Sequence, residues 1–349
     1  MSVFVMALPS PKTLVFYSGE PFHLSSGALL PGLKIAYRTW GRLSPTADNA
    51  IVVCHALTGS ADADAWWQPL IRPGKSIDTD RFFVVCSNTL GGCYGTTGPN
   101  SPAADGRKWG PRFPAVTVRD QVAVQMLLAD ALGIRKIHSV IGGSLGGLQA
   151  LEWAWMDPTR VNSIISIAAS GRHSPWCIAW SEAQRMALKA DPRYRDGNYA
   201  DGDAPAAGLA AARALAMISY RSAESLNQRF DSKDNDSSSP VIAWLHHHGK
   251  SLVERFDAHS YRILLDAMDC HDVSAHRGFY REVLRSMSLP MMIGSIDTDV
   301  LYRPSEQAEL VTYLRNARHV TISSRHGHDG FLMDAEQFAQ PISDFLDAL

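Results

Sequence analysis

Ile141-Gly142-Gly143-Ser144-Leu145-Gly146-Gly147 decides the reading of this chain. The stretch holds Gly-x-Ser-x-Gly between an apolar run, Ile137 to Ile141, and a helix-like run, Leu145 to Met156. Strand, tight turn and helix is the context in which that motif forms a nucleophile elbow. So sharp a turn strains the serine backbone, and neighbours without a Cβ avoid the clashes. The Ser144 hydroxyl then stands above the sheet at a helix N-terminus, where negative charge is tolerated. The competing reading is a glycine-rich turn of a nucleotide-binding fold. It lacks the Gly-Lys-Ser/Thr of a phosphate loop and the Gly-x-Gly-x-x-Gly of a dinucleotide turn.

Working outward, short apolar runs at Ala50–Cys54, Phe82–Cys86, Ile137–Ile141, Val161–Ile167, Pro290–Ile293 and His319–Ile322 read as buried strands. Between them, Val118 to Leu132 places Val118, Val122, Met126 and Ala129 on one helix face, with Thr117 as N-cap and Gly133 as the stop. This alternation predicts an α/β fold with a mostly parallel central sheet flanked by helices. It breaks after Ser170. Arg172 to about Ser286 is helical in pattern, alanine-rich at Ala204–Ser219 and polar at Asp231–Ser239, where a mobile loop is expected. The division predicted is a core of residues 1–171 and 287–349 with a helical insertion, 172–286, forming a lid over the carboxyl ends of the strands.

With 349 residues, 46% hydrophobic and 19% charged, the chain has ample material for a buried core. A net charge of −2 and a pI near 6.7, with no basic stripe, argue against nucleic acid as a partner. Cys54, Cys86, Cys93, Cys177 and Cys270 are odd in number and lack Cys-x-x-Cys spacing, which suits reduced thiols in the cytoplasm. The apolar Met1–Leu8 is too short for a signal segment, Met6 is an alternative start, and no run reaches membrane-spanning length.

A serine hydroxyl needs a base, and the base needs an orienting acid. On this kind of sheet they follow in the order Ser, Asp, His. After the strand at Pro290–Ile293 come Asp297 and Asp299; after the strand at His319–Ile322 come His326 and His328. Spacing alone leaves both pairs open. An oxyanion requires two N–H donors. Leu145, directly after the nucleophile, offers one, and Leu57 in His55-Ala56-Leu57-Thr58-Gly59 offers the other. His55, at a strand end, reads as a structural residue. His246-His247-His248 does not read as a metal site, since adjacent helical residues diverge and no carboxylate or cysteine stands at ligand spacing.

Several segments carry a resemblance. They are His55–Gly59, Trp66-Trp67, Pro73–Phe83, Asn88–Pro99, Thr117–Asp120, Gly142–Trp153 and Gly327–Leu332. Together they resemble, nearly end to end, the homoserine O-acyltransferases of the α/β-hydrolase superfamily. The resemblance implies the α/β-hydrolase fold with an inserted helical lid domain and acylation of L-homoserine on the way to methionine. It also implies a cytoplasmic homodimer that associates through the lid, with no bound cofactor and acetyl-CoA as co-substrate. The family's Asp-x-Leu-aromatic falls on Asp299-Val300-Leu301-Tyr302, and its Gly-His-Asp-x-Phe-Leu falls on His328. By the same resemblance Asp329 holds the acceptor's amino group and Arg213 its carboxylate. A zwitterion needs such a pair of opposite charges, and a guanidinium can grip a carboxylate at two points. Family members also include succinyl-CoA users and serine acylators, and a carboxylesterase would use the same triad. Arg72, Arg303 and a short 101–106 loop depart from the family pattern.

Overall fold

The computed structural model describes residues 10–231 and 239–349. The Met1–Leu8 segment, the alternative start at Met6 and most of the 231–239 loop therefore lie outside the described residues. In chain order the strands are β1 (Leu14–Ser18), β2 (Phe22–His23), β3 (Leu29–Leu30), β4 (Leu33–Trp40), β5 (Ala50–Cys54), β6 (Phe83–Ser87), β7 (Ile137–Gly143), β8 (Ile164–Ile167), β9 (Met291–Ile296) and β10 (Ala317–Ile322). Eight of them form one sheet in the order β1-β4-β6-β5-β7-β8-β9-β10, and β2 pairs with β3. From β6 to β10 every neighbour is parallel, while β1 and β4 run antiparallel at one edge.

Each apolar run noted in the sequence holds a strand, though the boundaries move. The run at Val161–Ile167 pairs as a strand only from Ile164, with Val161 making a single bridge to Ile137. β1 and β4 were not among the expected strands. They alternate rather than run continuously apolar, because the antiparallel edge has one face turned outward.

The central strands are apolar throughout because both their faces are covered. In β5, Ala50, Val52 and Cys54 join a core cluster with α2 (Val118–Ala131) and α3 (Leu145–Met156). Ile51 and Val53 turn to the opposite cluster, with Trp67 at the end of α1 (Ala63–Trp66). Thr117 caps α2 through a capping box with Asp120. A buried chain of side chains then ties α2 to α3. Gln125 donates to Gln149 at 2.9 Å, Gln149 to Gln121 at 2.9 Å, and Trp153 to Gln125 at 2.7 Å.

Between β8 and β9 the described residues form helices α4 (Pro175–Lys189), α5 (Ala206–Ser219), α6 (Ala223–Phe230), α7 (Pro240–Val253), α8 (Ala258–Asp269) and α9 (Tyr280–Ser286). A third apolar cluster joins this insertion to the carboxyl end of the sheet, through Leu209, Leu252, Phe256 and Tyr261 on one side and Leu57, Leu145 and Leu148 on the other. The last part of the insertion packs differently, since Val283 and Leu284 of α9 enter the sheet's own core. Helices α10 (Pro304–Tyr313), α11 (Gly330–Met333) and α12 (Ala339–Asp347) complete the chain.

The elbow is the tightest point of this architecture. Ser144 takes φ 58° and ψ −124°, a left-handed conformation costly for a residue with a side chain. A Cβ on Gly146 would lie 2.0 Å from the Cys54 carbonyl oxygen. Gly146→Ala is expected to lower stability by at least ~1–3 kcal/mol, the range for overpacking. Gly19→Ala, with nothing within 4 Å of the added methyl, serves as the control, both read from urea midpoints.

Two histidines set an acid limit. Burial depresses the His55 imidazole to about 4 and His271 to about 3. Below pH 6.5 the unfolded chain takes up protons that these folded rings refuse, so stability falls as pH drops from about 6.5 toward those values, by up to about 1.4 kcal/mol per pH unit for each group. Denaturation midpoints between pH 7 and pH 5 are expected to fall less steeply in His271→Gln than in the native protein; equal slopes would refute this assignment.

Candidate active site

β7 delivers Ser144 at its carboxyl end and α3 starts with Leu145, so the hydroxyl sits at the sheet–helix junction. β9 ends at Ile296, and Asp299 follows in the turn before α10. β10 ends at Ile322, and His328 follows in a short turn before α11. These three loops converge. Ser144 Oγ donates to His328 Nε2 at 2.8 Å, and His328 Nδ1 donates to Asp299 Oδ2 at 2.7 Å. All three side chains are buried. The other Asp299 oxygen accepts the N–H groups of Leu301 at 2.8 Å and Tyr302 at 2.9 Å, which fixes the carboxylate plane.

The two residues left open beside them have different surroundings. Asp297 accepts from Ser323 Oγ at 2.8 Å and from the Ser324 N–H at 2.9 Å. It sews the β9 loop to the β10 loop. Thr298 adds a hydroxyl contact to the Ser324 carbonyl and accepts the Gly327 N–H at 3.0 Å. His326 is only partly buried and faces Arg221 rather than Ser144.

The His328 ring lies among aromatic rings. Tyr302 stacks on it with centroids 5.4 Å apart, Tyr220 lies 5.6 Å away, and Phe331 meets its edge at 5.4 Å. Tyr220 comes from the end of α5, so the insertion supplies part of the wall around the imidazole.

Leu145 opens α3, so its N–H has no acceptor inside the helix. Leu57 lies in the turn after β5, and its side chain shares the third apolar cluster with Leu145. His55 braces that turn. Its Nδ1 donates to the Ala56 carbonyl at 2.8 Å, and its Nε2 accepts the Thr89 N–H at 3.1 Å. Neutral at physiological pH through burial, it is a hydrogen-bonded spacer. Asn88 links the same loops, accepting the Ala61 N–H and donating to the Tyr94 carbonyl, both at 2.7 Å. Arg255 of the insertion donates to the Thr58 carbonyl at 2.8 Å and to the Tyr94 hydroxyl. Burial pushes that phenol up to about 12.

Arg213 and Asp329 both lie against Tyr220. The Arg213 guanidinium lies 5.5 Å from the Tyr220 ring centre, and the Asp329 N–H donates to the Tyr220 carbonyl at 3.2 Å. Asp329 also pairs with Arg221, whose Nε is 3.0 Å from Oδ2. Tyr220, Arg221, Arg255 and Tyr302 are the neighbours that sequence reading missed. The aromatic position in Asp299-Val300-Leu301-Tyr302 was a signal for the last; nothing in the local pattern marked the others. Arg72 and Arg303 are both exposed. The 101–106 loop is fastened by an ion pair from Asp105 to Arg112 at 2.8 Å, and the adjoining Lys108 pairs with Asp201 of the insertion. Among the described residues no helix is long and apolar enough to cross a membrane.

Comparison with known proteins agrees with this geometry. The family described as "alpha/beta hydrolase fold" matches residues 49–327. A homoserine O-acetyltransferase of Chlorobium chlorochromatii is 49% identical, over 98% of both chains. Among solved structures, the esterase E22 superposes with a TM-score of 0.89 at 29% identity, over 96% of this chain and 99% of its own. A homoserine O-acetyltransferase from Staphylococcus aureus superposes with a TM-score of 0.80 at 29% identity, over 96% and 95%. The nucleophile elbow, the order of the three converging residues and the near full-length identity together mean that the chain belongs to the homoserine O-acetyltransferase family, acyltransferases built on the α/β-hydrolase fold.

Proposed function

We propose that this protein transfers the acetyl group of acetyl-CoA to the hydroxyl of L-homoserine through an acyl-serine intermediate, with no bound cofactor. The observation that carries the reading is the hydrogen-bonded line from Ser144 through His328 to Asp299. In the first half-reaction His328 Nε2 takes the Ser144 proton as Oγ attacks the thioester carbonyl. Asp299 keeps the imidazole in the Nδ1–H tautomer and stabilises its cation. The Leu57 and Leu145 amides receive the developing oxyanion. The carbon–sulfur bond breaks, His328 returns the proton to the thiolate, CoA leaves, and an ester remains on Ser144. In the second half-reaction the homoserine hydroxyl gives its proton to His328 and attacks that ester. Arg213 holds the acceptor's carboxylate and Asp329 its ammonium group. The tetrahedral centre collapses and His328 protonates Ser144 Oγ.

Water competes for the same ester, so the insertion acts as a lid that favours the positioned alcohol. Exposed Trp176, Met186, Ile218 and Ile242 on this region support a homodimer formed through it. The unpaired cysteines support a cytoplasmic location. A hydrolase is the second reading, favoured by the close superposition with the esterase E22.

Sustained thiol release from acetyl-CoA, beyond the single equivalent of the first half-reaction, is expected to require L-homoserine, to vanish in Ser144→Ala and to fall by about 10⁴ in Asp299→Asn. Faster release from succinyl-CoA would overturn the donor, and release indifferent to homoserine would make the protein a hydrolase. Arg213→Lys keeps the charge but loses the planar fork. It is expected to raise the KM for L-homoserine by about ten-fold, the cost of one charge-assisted contact, in steady-state assays.

A further inference from the structure

Arg221 sits at the junction of α5 and α6 and is only 8% exposed along its side chain. A guanidinium so enclosed needs compensation. Its Nη1 donates to His326 Nδ1 at 3.2 Å, which fixes His326 as a neutral ring protonated on Nε2. Its planar end lies 5.9 Å from the centre of the Trp244 ring. Its Nε lies 3.0 Å from Asp329 Oδ2, yet the N–H is not aimed at that oxygen and makes no aligned hydrogen bond among the described residues. The contact is therefore one of charge, without a directional bond. The residues on either side grip the same loop. The Tyr220 carbonyl accepts the Asp329 N–H at 3.2 Å, and Ser222 Oγ donates to the Arg325 carbonyl at 2.6 Å. Gly327 allows this fit, for a Cβ there would stand 2.7 Å from the Ser222 nitrogen.

We propose that Arg221 is the positioning residue for amine recognition: its charge draws Asp329 toward one side before the acceptor arrives, and so sets the preference for acceptors that carry an α-ammonium group. This rests on the reading of Asp329 as the ammonium site. A carboxylate offers about four lone-pair positions, and Arg221 engages only one oxygen through charge. An arriving ammonium can then bind Asp329 without breaking a formed hydrogen bond. His326 and Trp244 keep Arg221 in place while the carboxylate turns. Without the arginine, Asp329 becomes a partly buried anion with no fixed neighbour on that side. Its rotamers multiply, and fewer of them face an arriving ammonium.

The test compares kcat/KM for L-homoserine with that for 4-hydroxybutanoate, which keeps the alcohol and carboxylate and lacks the amine. The variants are Arg221→Met, Arg221→Lys, Asp329→Asn and the double Arg221→Met/Asp329→Asn. Thermal midpoints and the thiol burst with acetyl-CoA alone are read alongside. Arg221→Met is expected to lower the homoserine preference by about ten-fold, the scale of one charge-assisted contact, mainly through KM and with the burst retained. Arg221→Lys recovers part of it, and the double variant matches Asp329→Asn, because one route carries both effects. An unchanged preference in Arg221→Met, or additive losses in the double variant, would overturn the proposal while leaving Asp329 in its role. An unchanged preference in Asp329→Asn would overturn the Asp329 reading and this proposal with it. If Arg221→Met does not fold, Arg221→Gln carries the same comparison.

Discussion

The Cys54 carbonyl leaves space for only a hydrogen above the first turn of α3, and the rest of the site is arranged around that contact. It lets β5 and α3 approach until Leu57 and Leu145 share one apolar cluster. Two residues before Gly146, Ser144 adopts a left-handed conformation, a strain of about 1–3 kcal/mol. The helix that follows offsets this readily. Leu145, Leu148, Leu151 and Trp153 are all fully buried, and each such side chain contributes roughly 1.5–3 kcal/mol. The strained serine is thus held by ordinary hydrophobic packing, with the glutamine chain between α2 and α3 fixing the angle.

Asp299 and His328 are aligned by a different means. Their loops follow adjacent parallel strands, β9 and β10, so they emerge side by side. Asp297 and Thr298 then bind the β10 loop through backbone and hydroxyl groups. Asp299 is left with one oxygen saturated by its own turn and the other free for His328. Neighbouring residues of one short segment therefore divide the work of joining loops and orienting the imidazole. This division explains why the two aspartates look equivalent in sequence and are not equivalent in space.

Much of this was legible in the chain. Continuous apolar runs such as Ala50–Cys54 mark strands covered on both faces, and the glycine pattern marks the elbow. β4 escaped because Leu33-Lys34-Ile35-Ala36-Tyr37-Arg38 mixes charge into its alternation, as suits an edge region with Arg38 paired to Asp62 and Asp64. The order Ser, Asp, His was readable, whereas the choice within each pair came from family resemblance. Arg221 and Arg255 were not readable at all. Their partners, His326 and Thr58, stand 105 and 197 residues away, and no local period encodes such contacts.

The imidazole of His328 is enclosed by Tyr302 from the sheet side and Tyr220 from the insertion. The insertion also reaches the His328 loop through Ser222 and the Leu57 loop through Arg255. Sub-global opening of these helices would therefore release the His328 imidazole and loosen the Leu57 turn while the parallel sheet remained folded. The side chains around Ser144 thus depend on an insertion that can open without the sheet, and activity would be lost at the cost of those few contacts alone.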